Sequence, residues 1–449
     1  MRRKIYNKLK EWKQNNARKE ALLIDGARRV GKSYIVEEFA KNEYKSYILI
    51  NFGNMTKELR EIFDNYLNDL DSFFIRLSLW AGVKLYHESL IIFDEVQLYP
   101  KAREAIKWLV ADNRYDYIET GSLISIRKNT NGILIPSEEC HIDMYPMDFE
   151  EFLWALGEDS IMLFVEECYA KKQSLGAALH RKLMDYLRLY MIIGGMPQSV
   201  NEYVESRDFD NVDHIKRNIL SLYRNDIYKY SAHDAPKVIR IFDSIPGQLQ
   251  RHEKRFRIGN LQKGARTRDY HNAFFWLDEA RIVNTCYAAT EPSIGLKLNR
   301  DDAKYKLYFA DTGLLISHSF DENEILSEKL YAKLLLDKIE INKGMIVENL
   351  VAQMFRASGK KLYYYTQSSR DNSEDNIEID FLIRKPIVTS RHNICPVEVK
   401  SSSNYKTSSL IKFRNKFSQY LHTNYVLHSG DLKEDNGILY LPLYMAPLL

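Results

Sequence analysis

Cysteine is scarce in this chain of 449 residues: Cys140, Cys168, Cys286 and Cys395 stand far apart and form no C-x-x-C pair. That excludes a disulfide framework and a zinc ribbon and leaves reduced, packed thiols. Glycine and proline are sparse as well, at 19 and 11 residues, against 45% hydrophobic and 28% charged residues. Collagen-like, low-complexity and largely disordered chains are thereby excluded. No apolar run approaches the roughly 18 residues that a membrane helix needs. The basic start Met1-Arg2-Arg3-Lys4-Ile5 is followed by no hydrophobic signal core, so a cytoplasmic protein without a membrane partner is expected. Neither sign of charge dominates. Lys and Arg number 64 and Asp and Glu 61, a net +3, so a basic surface for a polyanion has to be local.

What is present is organised. At roughly 150 residues per domain, the length suggests about three domains. The short apolar runs Ala21–Ile24, Tyr47–Asn51, Leu90–Phe93 and Tyr117–Glu119 read as buried strands with helical periodicity between them, the pattern of a parallel sheet in an α/β domain. Pro146 and Met147-Asp148-Phe149-Glu150-Glu151-Phe152-Leu153 mark a change. From there to about Tyr230 the pattern is helical, interrupted at Gly194-Gly195-Met196-Pro197. A third segment, to about Phe320, reads as helix, turn, helix and strand hairpin. The tail opens on a helix at Met345–Phe355 and continues with strands at Leu362–Thr366, Ile377–Ile383 and Cys395–Lys400.

Two constellations carry chemistry. Gly26-Ala27-Arg28-Arg29-Val30-Gly31-Lys32-Ser33 fits G-x-x-x-x-G-K-[ST], follows an apolar strand and opens an amphipathic helix at Tyr34. Glycines let backbone N–H groups wrap phosphates, and the helix N-terminus adds positive potential. Lys32 is then expected on the β- and γ-phosphates and Ser33 on Mg2+. The strand Leu90–Phe93 ends in Asp94-Glu95. Two carboxylates on a buried strand are costly unless they serve a cation or a reaction. Asp94 is expected to hold Mg2+ through water, and Glu95 to polarise the attacking water. Thr120-Gly121-Ser122 ends a further strand. A hydroxyl there senses the γ-phosphate, or the three residues are a glycine turn with solvated hydroxyls.

These motifs, with Tyr145-Pro146-Met147-Asp148-Phe149-Glu150-Glu151-Phe152-Leu153, the Gly194–Pro197 block and the run Lys306–Leu315, resemble AAA-type ATPases of bacteria and archaea. That family carries a helical and winged-helix middle and a C-terminal domain long classed as of unknown function. The resemblance implies an α/β multi-domain chain that hydrolyses ATP with Mg2+. Its parts are a P-loop ATPase core with a parallel sheet (1–150), a helical lid (151–230), a winged helix (231–330) and a restriction-endonuclease-like α/β tail (331–449). Oligomers are compatible with it. One departure matters. Many relatives place an Arg shortly after the sensor, whereas here no Arg occurs between Arg127 and Arg181. An arginine finger has to come from Arg127, from Arg181, Arg188 or Arg224, or not at all, which keeps slow hydrolysis or a partner-activated switch open.

The second constellation lies in the tail. Glu378 and Asp380 alternate with Ile379, Phe381 and Ile383, and Glu398 and Lys400 alternate with Val397 and Val399. Paired strands are expected to gather Asp380, Glu398 and Lys400, with Glu348 from the helix. The set resembles the PD-(D/E)XK nuclease core. That resemblance implies a second Mg2+ or a Mn2+ on Asp380 and Glu398, with Lys400 orienting a water or stabilising the developing charge, and Glu348 as a further ligand or as a partner of the ligands. A polar-faced hairpin produces the same short pattern, and such folds also serve as binding modules without cleavage.

Residues 251–270 hold seven Lys/Arg against two Asp/Glu. Tyr270, Phe274 and Leu277 are spaced to pack inward, leaving Arg266, Arg268 and His271 at the start of a recognition-type helix. Lys254, Arg255 and Arg257 are expected on phosphates, of DNA before RNA. A winged helix can equally be a protein-binding scaffold.

Overall fold

The four apolar runs of the N-terminal part are strands of one parallel sheet: β1 (Ala21–Gly26), β2 (Ser46–Asn51), β3 (Ser89–Asp94) and β4 (Asp116–Gly121), joined by β5 (Glu139–Met144). The computed structural model describes residues 1–121, 137–231, 234–251, 254–262, 264–293, 295–320, 343–368, 376–385, 392–402 and 404–449. They fall into two compact units, Met1–Tyr145 and Pro146–Leu449. Among the described residues no helix is long and apolar enough to cross a membrane.

In the first unit the strand order is β2-β3-β4-β1-β5, and every pair is parallel. Parallel strands need crossovers, and the crossover helices cover both faces, so β1, β3 and β4 are buried along their whole length. One face packs Leu23, Ile50, Ile91, Phe93 and Tyr117 against the helices Lys57–Tyr66, Leu70–Ala81 and Pro100–Asp112. From β1 the chain crosses to the far edge at β2, and from β4 it passes over β1 to β5. The connections therefore diverge at β1, and a crevice opens at the C-terminal ends of the strands on either side of such a point. Gly26, Asp94, Thr120 and Asn51 all lie at those ends.

The second unit begins with the helices Phe149–Ala155, Ile161–Lys171, Ala177–Ile193, Pro197–Ser206 and Phe209–Ser231. The helices Ala235–Leu249 and Thr267–Glu279 follow, then the antiparallel hairpin β6 (Val283–Ala289) and β7 (Arg300–Phe309). The tail contributes the helix Lys343–Ala357, β8 (Tyr363–Gln367), β9 (Ile377–Arg384), β10 (Ile394–Val399), the helix Ser408–Phe417, β11 (Asn424–His428), β12 (Lys433–Asp435) and β13 (Ile438–Pro442). All eight strands form one sheet in the order β12-β13-β11-β10-β9-β8-β6-β7. The hairpin from the 231–330 segment thus shares a sheet with the 331–449 segment, through parallel pairing of β6 with β8.

A buried polar knot joins the pieces of this unit. Asp311, fully buried, accepts from Gly195 N at 2.6 Å and caps the following helix by accepting from Leu314 N at 2.9 Å. Gly195 packs so tightly that a Cβ there falls 2.1 Å from the Met147 carbonyl oxygen. That carbonyl accepts from the Tyr190 hydroxyl at 2.6 Å, and Gln353 Nε2 donates to the same hydroxyl at 2.9 Å. Gln353 Oε1 accepts from Thr312 N at 2.8 Å, and Asn349 Oδ1 from Phe309 N at 2.7 Å. The Gly194–Pro197 block and the run around Asp311 are therefore two halves of one contact. Removing the carboxylate leaves a buried N–H unpaired and a helix uncapped. Asp311→Ala is expected to destabilise the second unit by roughly 2–4 kcal/mol, and Asp311→Asn by clearly less. Urea unfolding of the two variants beside wild type measures this.

Candidate nucleotide site and the acidic centre of the tail

β1 ends at Gly26, and the helix Lys32–Glu43 starts from Gly31. Gly31 sits at φ 95°, a left-handed turn that a side chain would strain, and it directs the first helical N–H groups into the loop. Ala27 and Val30 point into the core, and Arg28 and Arg29 are exposed. Arg3 clamps the loop from outside by donating to Val30 O at 2.9 Å and to Tyr145 O at 2.7 Å. Tyr34 is half exposed, and its hydroxyl accepts from the N-terminal amine at 3.1 Å.

Lys32 is buried within this loop and donates to the carbonyls of Gly26 at 3.0 Å and Ala27 at 3.1 Å. Burial lowers its pKa, opposed by the carboxylates of Glu95, Asp25 and Asp94. Ser33 Oγ donates to Asp94 Oδ1 at 2.8 Å. The other partners of Asp94 come from the flanking strand ends: Thr120 donates to Oδ1, and Asn51 Nδ2 donates to Oδ2 at 2.8 Å. Loop, acidic strand end and hydroxyl strand end therefore converge on one carboxylate. Glu95 follows in a left-handed conformation, φ 57°, which carries its carboxylate off the strand axis to accept from Gln97 Nε2. Ser122 and Arg127 lie outside the described residues. Of the other arginines considered as fingers, Arg188 pairs with Asp185, Arg224 pairs with Asp243, and Arg181 is exposed.

Sequence reasoning did not single out Asn51, although the parallel register that sets Asn51 opposite Asp94 follows from two adjacent strands of equal length. It also missed a buried group beneath Thr120. Burial and the adjacent Glu139 carboxylate push the pKa of Glu119 well above its ordinary value. Arg103 at 2.9 Å and His141 at 2.6 Å hold Glu139 ionised against its burial.

The tail divides the expected set in two. Glu348 is buried between two ammonium groups: Lys306 at 3.1 Å from Oε1, and Lys254 on Oε2. The Tyr308 hydroxyl donates to Oε1 as well. Lys306 Nζ also lies 3.2 Å from Glu378 and 3.8 Å from Asp380, so these two do share a face. Asp380 Oδ2 accepts from Val399 N at 2.8 Å. Glu398, buried on β10, pairs instead with Lys400 at 2.9 Å, and burial raises its pKa. Of the expected metal set, Glu348 and Asp380 share Lys306, and Glu398 stands apart with Lys400. Among the described residues, no group of three or more His, Cys, Asp or Glu is placed to hold a metal. Lys254, expected on phosphate, is turned into this centre. Arg255 is half-buried, whereas Arg257, Arg266, Arg268 and His271 are exposed, and Tyr270 and Leu277 are buried as their spacing predicts.

The centre makes stability depend on pH in two windows. Burial alone raises the pKa of Glu348, but Lys254 and Lys306 outweigh it and hold the group at about 2. Its contribution is present above its ordinary 4.5 and is lost as pH falls from 4.5 towards 2. Asp380 moves the other way, pushed up to about 7 by burial and then by Glu348. The folded chain keeps a proton that the unfolded chain releases above 3.8, so this contribution is lost as pH rises from 3.8 towards 7. Asp380→Asn is expected to flatten the upper window and Glu348→Gln the lower one, as read by urea midpoints across a pH series.

Three family models match separate stretches: an AAA domain at residues 18–153, a domain of unknown function (DUF8612) at 184–324 and a domain of unknown function (DUF4143) at 343–445. No curated protein matches the chain. Among solved structures, a Walker-type ATPase of Pyrococcus abyssi is similar at 17% identity and TM-score 0.42, over 71% of this chain and 95% of its own. Cdc6p of Pyrobaculum aerophilum is similar at 14% identity and TM-score 0.23, over 74% of this chain and 92% of its own. The ORC2 protein of Aeropyrum pernix in its ADP form is similar at 13% identity and TM-score 0.26, over 74% and 92%. The loop at Gly26–Ser33, the acidic end of β3 and the match over residues 18–153 together make the N-terminal unit an AAA-type P-loop ATPase-like domain.

Proposed function

We propose that the chain binds ATP with Mg2+ in its N-terminal unit and hydrolyses it, and that the nucleotide state governs the helical and nuclease-like parts that follow. The observation that carries this is the hydrogen bond of Ser33 to Asp94, with Lys32 buried in the same loop. The hydroxyl and the carboxylate that would share the Mg2+ are already together. The loop amides and Lys32 would take the β- and γ-phosphates, with Lys32 exchanging the Gly26 and Ala27 carbonyls for phosphate oxygens. Mg2+, when bound, neutralises charge between those phosphates. Glu95 orients and deprotonates the attacking water, and its bond to Gln97 holds it until substrate arrives. Thr120 ties the end of β4 to Asp94 and so couples the γ-phosphate position to the sheet.

Lys32→Ala is expected to weaken ATP binding by about 10–100-fold. Glu95→Gln is expected to keep binding and lower turnover by about 100-fold or more. Isothermal titration and phosphate release on the two variants test the reading, and a wild-type chain that neither binds nor hydrolyses ATP ends it.

For the remainder, the reading is a helical lid at 151–230, a winged helix at 231–330 and a restriction-endonuclease-like tail at 331–449. The order helix, helix, hairpin supports the winged helix. A Glu-bearing helix ahead of β9 and β10 supports the tail. A nucleic-acid partner, DNA before RNA, is supported by Arg266, Arg268 and His271 standing exposed at the start of the helix Thr267–Glu279. Changing Arg266 and Arg268 together to Ala is expected to weaken duplex DNA binding by about 10-fold and to reduce the salt slope by about two. Fluorescence anisotropy across a salt series measures it, and unchanged binding removes nucleic acid from the proposal.

A further inference from the structure

Among the charged groups that the ATP site does not use, the tail centre brings three carboxylates to one buried ammonium group. A divalent ion in a nuclease-like site needs free carboxylate oxygens, arranged so that several reach one point. In this chain the oxygens of Glu348 and Asp380 are already taken. Both oxygens of Glu348 are engaged, Oε1 by Lys306 and Tyr308 and Oε2 by Lys254. Asp380 gives Oδ2 to Val399 N–H, and its Oδ1 faces Lys306. Glu398 belongs to Lys400. The Lys306 ammonium nitrogen stands among three carboxylates, 3.1 Å from Glu348, 3.2 Å from Glu378 and 3.8 Å from Asp380.

We propose that Lys306, seconded by Lys254, is the built-in cation of the tail, standing where a nuclease-like site would hold its metal. The side chain of Lys306 is 1% exposed, so no solvent rearrangement is available to move it aside locally. A divalent ion placed among the same three carboxylates meets one ammonium group at contact distance and a second on the far oxygen of Glu348. Such like charges repel strongly in a medium of low effective dielectric. With Asp380 holding its proton, two ammonium groups face the two ionised carboxylates of Glu348 and Glu378, and the centre needs no further positive charge to be buried. Lys306 stands on β7 and Lys254 just after the helix Ala235–Leu249, both outside the tail itself. The middle segment therefore supplies the charge that the tail would otherwise take from solution, and the tail works as a metal-free binding module in this arrangement. The inference rests on the nuclease-like reading only for the identity of the ion displaced.

The test uses the full chain without nucleotide, so it is independent of ATP turnover and of cleavage. Mn2+ is titrated in the submillimolar range, and free Mn2+ is followed by its paramagnetic resonance signal. Wild type and Asp380→Asn are expected to leave the same amount of Mn2+ free. One equivalent bound by wild type and lost in Asp380→Asn overturns the proposal. Lys306→Met, which keeps the length and removes the charge, is expected to melt at a lower temperature and to recover part of that loss with Mn2+, which wild type does not do. A Lys306→Met chain as stable as wild type also overturns it. Should Lys306→Met fail to fold, the comparison of wild type with Asp380→Asn still decides.

Discussion

A buried charge has to be answered by partners, and Asp94 shows how far that requirement shapes the first unit. Its carboxylate lies at the end of a fully buried strand and accepts from Ser33, Thr120 and Asn51. Each donor ends or begins a different element, so three strand ends and one helix start are tied to a single side chain. The order β2-β3-β4-β1-β5 is what makes this possible. Placing β4 between β1 and β3 sets Thr120 between the loop and the acidic strand end. A sheet with β1 beside β3 would leave that hydroxyl elsewhere. The arrangement suits a site whose ligand carries both negative phosphates and a divalent ion, because donors and acceptor are gathered before either arrives.

The same constraint organises the second unit twice over. Asp311 is answered by backbone N–H groups of Gly195 and Leu314, which binds a helix end to a helix start across more than a hundred residues of sequence. Such bonds to a charged acceptor are worth about 1.5–3 kcal/mol each and are costly to break singly. At the tail centre the answer is ionic, with Lys306 and Lys254 against Glu348, Glu378 and Asp380. Burial pulls Glu348 and Asp380 in the same direction, yet their pKa values part, because the two lysines lie directly on Glu348, while the Glu348 charge adds to burial in raising Asp380 and the same lysines offset it only in part.

Much of this was legible in the residues, and the limits have physical causes. Strands buried on both faces announce themselves as continuous apolar runs, which is why β1, β3 and β4 were readable while β5 was not. That strand is Glu-Cys-His-Ile-Asp-Met, an edge strand with one half-exposed face and no apolar run. The phosphate loop is local in sequence, so its geometry could be inferred from eight residues. Asn51 could not, because its role exists only through pairing with β3. In the tail the alternation of Glu378 and Asp380 correctly put both on one face. What faces them was not legible. Lys306 sits in an apolar-flanked strand more than seventy residues upstream, and nothing in the D…E-x-K spacing points to a hairpin from another segment laid along the same sheet.

That hairpin bears on what the two matched domains of unknown function are to each other. The lysines of the acidic centre come from residues 184–324, and the carboxylates from residues 343–445. Neither stretch can bury its share alone. A tail without Lys306 keeps three carboxylates around an empty point, and a hairpin without the tail buries a lysine beside nothing. Parallel pairing of β6 with β8 fixes the distance at which the charges meet, and the Asp311 knot fixes the helices behind them. The two stretches are thus one electrostatic and one hydrogen-bonded unit. Moving the hairpin alone would strip Glu348 of Lys306 and the Tyr308 hydroxyl and leave Lys254 as its one counter-charge.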